Sequence, residues 1–316
     1  MKKRHGIFLA FLLLPSFSAA FPLFYSSRKQ ALYKSKIAEI EKNFASSECE
    51  KVKSNVNNYF NLKPPSEFRK KAYLYLGRCY EKMGYSDKAL SVYKIAAALY
   101  PHEKEFHKKL ADMYFDAGFF KKSSEIYLRL IQEYTCGWEI TMKLALCYLN
   151  LGFYKKAEKR LSQAAELNGY KDRDLLKNYV QCLINLGKYG KALNIANKMG
   201  PPDKYVSLAR VYIHKGDFRS ALEEVEKGEK QFPHKKDLLL YEMLLNFFNE
   251  KYYKAYAKAG NFLEKYPFSE AAMTIKIWSG YKIGRKREAQ QTFLLLQKKG
   301  KGWLKRLSER LNLQER

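Results

Sequence analysis

Five cysteines and five histidines in 316 residues are the side chains best suited to redox or metal chemistry. Their spacing argues against both. No CxxC pair occurs. His102 and His107 flank Glu103 and Glu105, but across a turn into a following helix, without the i, i+4 spacing that helix-borne metal ligands use. His214 and His234 have no clustered partner. Cys79, Cys147 and Cys182 each fall five residues before a recurring turn position, and Cys49 is assigned to a small-residue slot. Four of the five are therefore expected to pack as small buried hydrophobes. Cys136 sits in an inter-helix turn, where it is expected to be exposed and open to an intermolecular disulfide in an oxidising compartment. There is no G-x-S-x-G, no H-E-x-x-H and no phosphate-cradling glycine loop. A non-enzyme with no metal, cofactor or small-molecule substrate is expected.

The remaining chemistry is charge. Lys plus Arg number 59 against 32 Asp plus Glu, a net charge of +27, which favours anionic partners. Aromatic residues at 15% could combine with lysines into a base-stacking surface. They recur, however, at positions that pack one helix on another, so nucleic acid is not the expected partner. Net charge concentrates at the two ends: +6 over Arg28–Lys71 and +8 over Lys282–Arg316. Both ends could rest on an anionic membrane or envelope polymer.

The first residues read as an export signal. Lys2, Lys3 and Arg4 precede the apolar run Ile7–Leu14, then Pro15, then the small residues Ser18, Ala19 and Ala20, predicting cleavage after Ala20. The alternative is an uncleaved anchor over residues 6–25, interrupted by Pro15 and Pro22. Removing residues 1–20 takes away three basic groups and leaves +24. No cysteine follows the apolar run, so a lipid anchor is not expected.

What must position everything else is a repeat. Gly84, Gly118, Gly152, Gly187, Gly216 and Gly284, with Glu250 in the same slot, recur every 29 to 35 residues. Eight and seven residues before the slot stand Leu76-Gly77, Leu110-Ala111, Leu144-Ala145 and Leu208-Ala209. Four before it stand Tyr80, Tyr114, Tyr148 and Tyr212. Two after it stand Phe120, Tyr154, Tyr189, Phe218 and Tyr252. Five after it comes a small residue, from Ala89 and Ser123 to Ala289, and nine after it a bulky one such as Tyr93, Tyr127 or Leu161. The apolar spacing gives two amphipathic helices per unit, here called A and B. The glycine supplies the left-handed residue that ends helix A. Ser86 and Asp217 are candidate N-caps of helix B, and Pro101, Pro233 and Pro267 stop it.

This pattern resembles the tetratricopeptide repeat, and the aromatic-Pro ends (Tyr100-Pro101, Phe232-Pro233, Tyr266-Pro267) resemble bacterial envelope members of that family. The resemblance implies an all-α, right-handed superhelical solenoid of about eight helix-turn-helix repeats. The expected division is a leader at 1–20, a degenerate hairpin at 28–68, seven repeats at 69–300 and a capping helix at 301–316 with Trp303, Leu304, Leu307 and Leu311 on one face. It also implies a periplasmic or envelope-associated scaffold that binds a protein or peptide along the inner face of the A helices, and the net charge makes an acidic segment the expected one. Carried over residue by residue, the groove holds Lys71, Arg78, Lys108, Phe115, Lys177, Gln181, Asn185, Arg210, His214, Trp278 and Tyr281.

Overall fold

The computed structural model describes the backbone of residues 16–299 and the side chains of residues 27–297. Residues 1–15 of the predicted leader and the predicted capping helix at 301–316 lie outside the described residues. Among those described there are sixteen α-helices and no strand, paired into eight hairpins. None of these helices is long and apolar enough to cross a membrane.

The chain divides into two compact units, residues 1–135 and 136–316. The first holds three hairpins: α1 (Ser16–Ala45) with α2 (Cys49–Asn61), α3 (Ser66–Lys82) with α4 (Ser86–Leu99), and α5 (Lys104–Asp116) with α6 (Phe120–Glu133). The second holds five: α7 (Trp138–Asn150) with α8 (Tyr154–Asn168), α9 (Arg173–Asn185) with α10 (Tyr189–Asn197), α11 (Asp203–Lys215) with α12 (Phe218–Gln231), α13 (Lys236–Phe248) with α14 (Tyr252–Lys265), and α15 (Glu270–Lys282) with α16 (Lys286–Lys299). α1 passes Ala20 without a break. α10 has only nine residues, which accounts for the 29-residue interval that follows it.

The recurring turn has one cause. After α3 the Tyr85 N–H donates to the Tyr80 carbonyl at 2.9 Å and the Gly84 N–H to that of Glu81 at 3.0 Å, with Gly84 at φ 76°. This is the Schellman closure, which also places the residue after the glycine against the residue five before it. Tyr80 and Tyr85 duly meet edge to face at 6.2–6.3 Å, as Tyr114 and Phe119 do. Lys88 and Lys122 lie over the outer rings at 4.8 and 5.5 Å. Half-exposed aromatics at these turns are thus part of helix termination. Glu250 adopts the same conformation at φ 60° without a glycine.

Between helices the slots fill as the spacing requires. Ala89, Ala157, Ala192, Ala221, Ala255 and Ala289 are fully buried, as are Tyr93, Tyr127, Leu161 and Val225 on the next turn of helix B. Gly280 replaces an aromatic because Tyr256 and the Ala289 Cβ occupy the space, 3.3 and 3.2 Å from where a Cβ would stand.

Three expectations change. Cys49 is not in the small-residue slot. Ser47, at φ 58°, takes the turn position, which puts Cys49 at the first residue of α2 and Val52 in the buried small slot. Without a glycine to mark the turn, the register of this hairpin reads three residues off. Nor is Cys49 an unlinked packing residue: it is bonded to Cys79 of α3, with Cα atoms 5.2 Å apart. Ser86 makes no cap, since it is already inside α4. Asp217 does cap α12, accepting from Ser220 N at 3.0 Å, and Asp172 caps α9 through Leu175 N at 2.7 Å.

Candidate functional site

In the first unit, Lys71 and Arg78, two of the A-helix residues expected to face a partner, are engaged by neighbouring repeats. Lys71 stands 3.9 Å from Glu41 of α1, and the Tyr75 hydroxyl donates to the same carboxylate at 2.6 Å. Arg78 donates to Glu105 of α5 at 2.5 Å. Lys70 pairs with Glu103, so the two carboxylates beside His102 and His107 both face the preceding repeat. His107 Nε2 lies 2.8 Å from the Pro101 carbonyl oxygen. Lys108 is exposed, and Phe115 is half-buried with its ring 5.3 Å from that of Phe120.

The second unit repeats the theme. Lys177 reaches the buried Asp203 carboxylate at 3.0 Å, and Arg173 reaches its other oxygen. Arg210 donates to Gln181, whose amide donates to Asn185 at 2.8 Å. Four of the basic residues nominated for an acidic ligand (Lys71, Arg78, Lys177 and Arg210) therefore already have partners across a repeat junction. Asn185 and His214 are exposed. Trp278 and Tyr281 of α15 are half-buried, Tyr281 against the cluster of Met273, Ile277, Ala289, Phe293 and Leu296.

Several buried polar centres are missing from the sequence-derived set. Lys109 of α5 reaches both Glu81 oxygens, at 3.1 and 3.0 Å, and the Tyr93 hydroxyl donates to the same carboxylate. Burial, then the bond to Glu81, drives the Tyr93 pKa far up. Glu158 of α8 takes Lys188 at 2.5 Å and Lys191 at 3.2 Å. Burial opposes its charge, but the two ammonium groups hold its pKa below the usual value. Glu242 of α13 stands where other repeats carry leucine. That substitution is a readable signal: a carboxylate in a slot occupied by Leu76, Leu110, Leu144 and Leu208 needs a buried partner. Cys182, enclosed by apolar neighbours, has its thiol pKa pushed up to about 11, which leaves it inert.

In the second unit α9 packs on α11, α11 on α13 and α13 on α15, so successive A helices lie side by side. Their matching positions change character along the row. Arg210 is followed by Leu244 and Trp278, and Ile213 by Phe247 and Tyr281. Phe248, about half exposed, stacks on Phe218 with centroids 4.9 Å apart. This side-by-side layer carries half-buried apolar side chains at Leu244, Phe247, Trp278 and Tyr281. No group of three or more His, Cys, Asp or Glu side chains placed to hold a metal ion is found among the described residues.

Hairpins of this kind, with a left-handed turn residue and a small residue where helix B crosses helix A, define an α-helical repeat protein. Residues 72–105, one such hairpin and its junction with the next, match the family model described as Tetratricopeptide repeat. Solved structures agree on the fold. A tetratricopeptide repeat protein from Parabacteroides merdae is 17% identical with a TM-score of 0.54, covering 78% of this chain and 98% of that one. The C-terminal part of a repeat-containing protein from Cytophaga hutchinsonii is 13% identical with a TM-score of 0.60, covering 77% and 100%. PilW, a widely conserved type IV pilus biogenesis factor, is 14% identical with a TM-score of 0.50, covering 66% and 96%. No curated protein matches the chain.

Proposed function

We propose that this protein is a non-enzymatic scaffold of the bacterial cell envelope, holding an extended segment of another envelope protein on the A-helix face of its second unit. The observation that carries this is the aligned row of Leu244, Phe247, Trp278 and Tyr281 on adjacent A helices. Half-buried rings in a rigid layer offer contact area at small conformational cost. Export is supported by the residue pattern at 1–20 and by the buried Cys49–Cys79 disulfide, a bond that reducing compartments do not sustain.

The partner segment carries apolar anchors and an acidic flank. Its acidity rests on the overall charge and on the exposed His214 of the same unit. Lys71, Arg78, Lys177 and Arg210 serve repeat stacking first, so reversing Lys177 or Arg210 would also strand Asp203 or Gln181. His214, exposed on the same unit, is the position at which an introduced carboxylate tests that charge.

The test is site-specific photo-crosslinking in cells, with the reactive side chain placed at Trp278 and, as control, at Lys155 on helix B of another repeat. A discrete adduct at position 278, absent at 155 and lost on Phe247→Ala, supports the face. Equal labelling at both positions, or an adduct indifferent to Phe247→Ala, overturns it. A weaker adduct in His214→Glu supports the acidic flank; no change removes it.

A further inference from the structure

The Cys49–Cys79 bond joins the N-terminal hairpin to the first full repeat. Cys49 opens α2 and Cys79 lies in α3. Neither is reachable once the hairpin is seated: their exposures are 8% and 1%. The surrounding contacts close the gap. Tyr33 of α1 packs 6.2 Å from Tyr59 and 5.6 Å from Phe68, and Phe60 lies 4.7 Å from Tyr73. The Tyr59 hydroxyl donates to the Phe68 carbonyl at 3.0 Å. An external oxidant cannot approach sulfurs enclosed in this way, so the bond must form while α1 and α2 are still off α3.

We propose that Cys49 and Cys79 are the substrate pair of a disulfide-donating oxidant in an oxidising compartment, and that this exchange completes the seating of the N-terminal hairpin. Cys49 is the attacking thiol. It occupies the first position of a helix, where unbonded N–H groups favour a thiolate, and Glu48 and Glu50, which would oppose this, are paired with Lys51 at 2.8 Å and Lys53 at 3.0 Å. The Cys49 thiolate attacks one sulfur of the donor disulfide. A mixed disulfide forms and the donor's other sulfur leaves as a thiolate. The Cys79 thiolate then attacks the Cys49 sulfur and expels the second donor thiolate. Two protein thiols are oxidised, and two electrons and two protons pass to the donor, which ends as a dithiol.

This rests on the exported reading of residues 1–20 and is independent of the binding face. The experiment expresses the full chain with its leader in a bacterial host, separates periplasm from cytosol, and alkylates denatured protein with and without prior reduction, mapping modified cysteines by peptide mass. Cys49 and Cys79 in the periplasmic protein should alkylate only after reduction. Cys79→Ser should accumulate a reductant-sensitive adduct with a host protein on Cys49, and Cys49→Ser should not. Recovery only in the cytosol overturns the export reading. Periplasmic protein with both cysteines open to alkylation overturns the exchange. An adduct on Cys49→Ser in place of Cys79→Ser overturns the assignment of the attacking thiol.

Discussion

The Glu242 carboxylate, 2% exposed, meets the Lys258 ammonium at 2.7 Å, and that same ammonium stands 3.1 Å from Glu229. One cation is shared by two carboxylates on α12 and α13. Burial, followed by the hydrogen bond and charge of nearby Glu229, brings the Glu242 pKa up to about 7 against the opposing pull of the Lys258 ammonium. His234 and Lys265 line the same small cavity of about 200 Å³. The charged groups of adjoining helices are engaged elsewhere: Lys254 with Glu226 at 3.0 Å, and Lys276 and Arg285 over Tyr256.

A folded pKa raised above the unfolded value means the native state binds the extra proton. The associated stability is full below about pH 4.5 and is lost as pH rises toward about 7. Thermal unfolding of the second unit should therefore fall in midpoint across that interval, and Glu242→Gln should flatten the fall. Lys258→Met should destabilise more at pH 8 than at pH 5, because only at the higher pH does it leave a bare buried carboxylate. Identical pH profiles for the wild type and Glu242→Gln would show that the buried pair does not set this dependence.

The disulfide spans 30 residues of sequence. Closing a loop of that size removes about 3–4 kcal/mol of unfolded-state entropy on the chain-entropy account. Cys49→Ser should speed amide exchange in α1, α2 and α3 while leaving α13 to α16 unchanged. Exchange that rises equally in both units is the contrary result.

Gly77 faces the ring of Tyr93, whose atoms lie 2.5 Å from the position of an added Cβ. The ring is fully buried and its hydroxyl is held by Glu81, so it cannot swing aside. Gly77→Ala should cost about 1–3 kcal/mol as an overpacked core contact, measured by denaturant unfolding of the first unit. Pairing it with Tyr93→Phe should recover little of that loss, because the ring carbons remain.

Glu250 holds a left-handed backbone that six other repeats give to glycine. Glu250→Gly should stabilise the second unit by about 1 kcal/mol, read as a higher denaturant midpoint. A lower midpoint would mean that its side chain contributes more than its backbone costs.

Much of the architecture is legible because the repeat writes each packing demand several times. Ala157, Ala192 and Ala221 share one slot because helix B crosses helix A closely there, and that demand survives in composition alone. Where the marker residue is missing, the register is lost: Ser47 in place of glycine shifted the reading of the first hairpin and hid the position of Cys49. The candidate face is less legible. Lys71, Arg78, Lys177 and Arg210 look alike as free cations at inner-face positions, and only their distances to Glu41, Glu105, Asp203 and Gln181 show them to be committed.

By itself the sequence determined the helices, their turns and the apolar slots between them, since these depend on residues within one repeat length and on backbone preferences that act locally. The tertiary structure decided which charges cancel, which cysteines meet and which carboxylate is buried. Those outcomes depend on groups 16 to 33 residues apart brought within bonding distance, and no local preference carries that information.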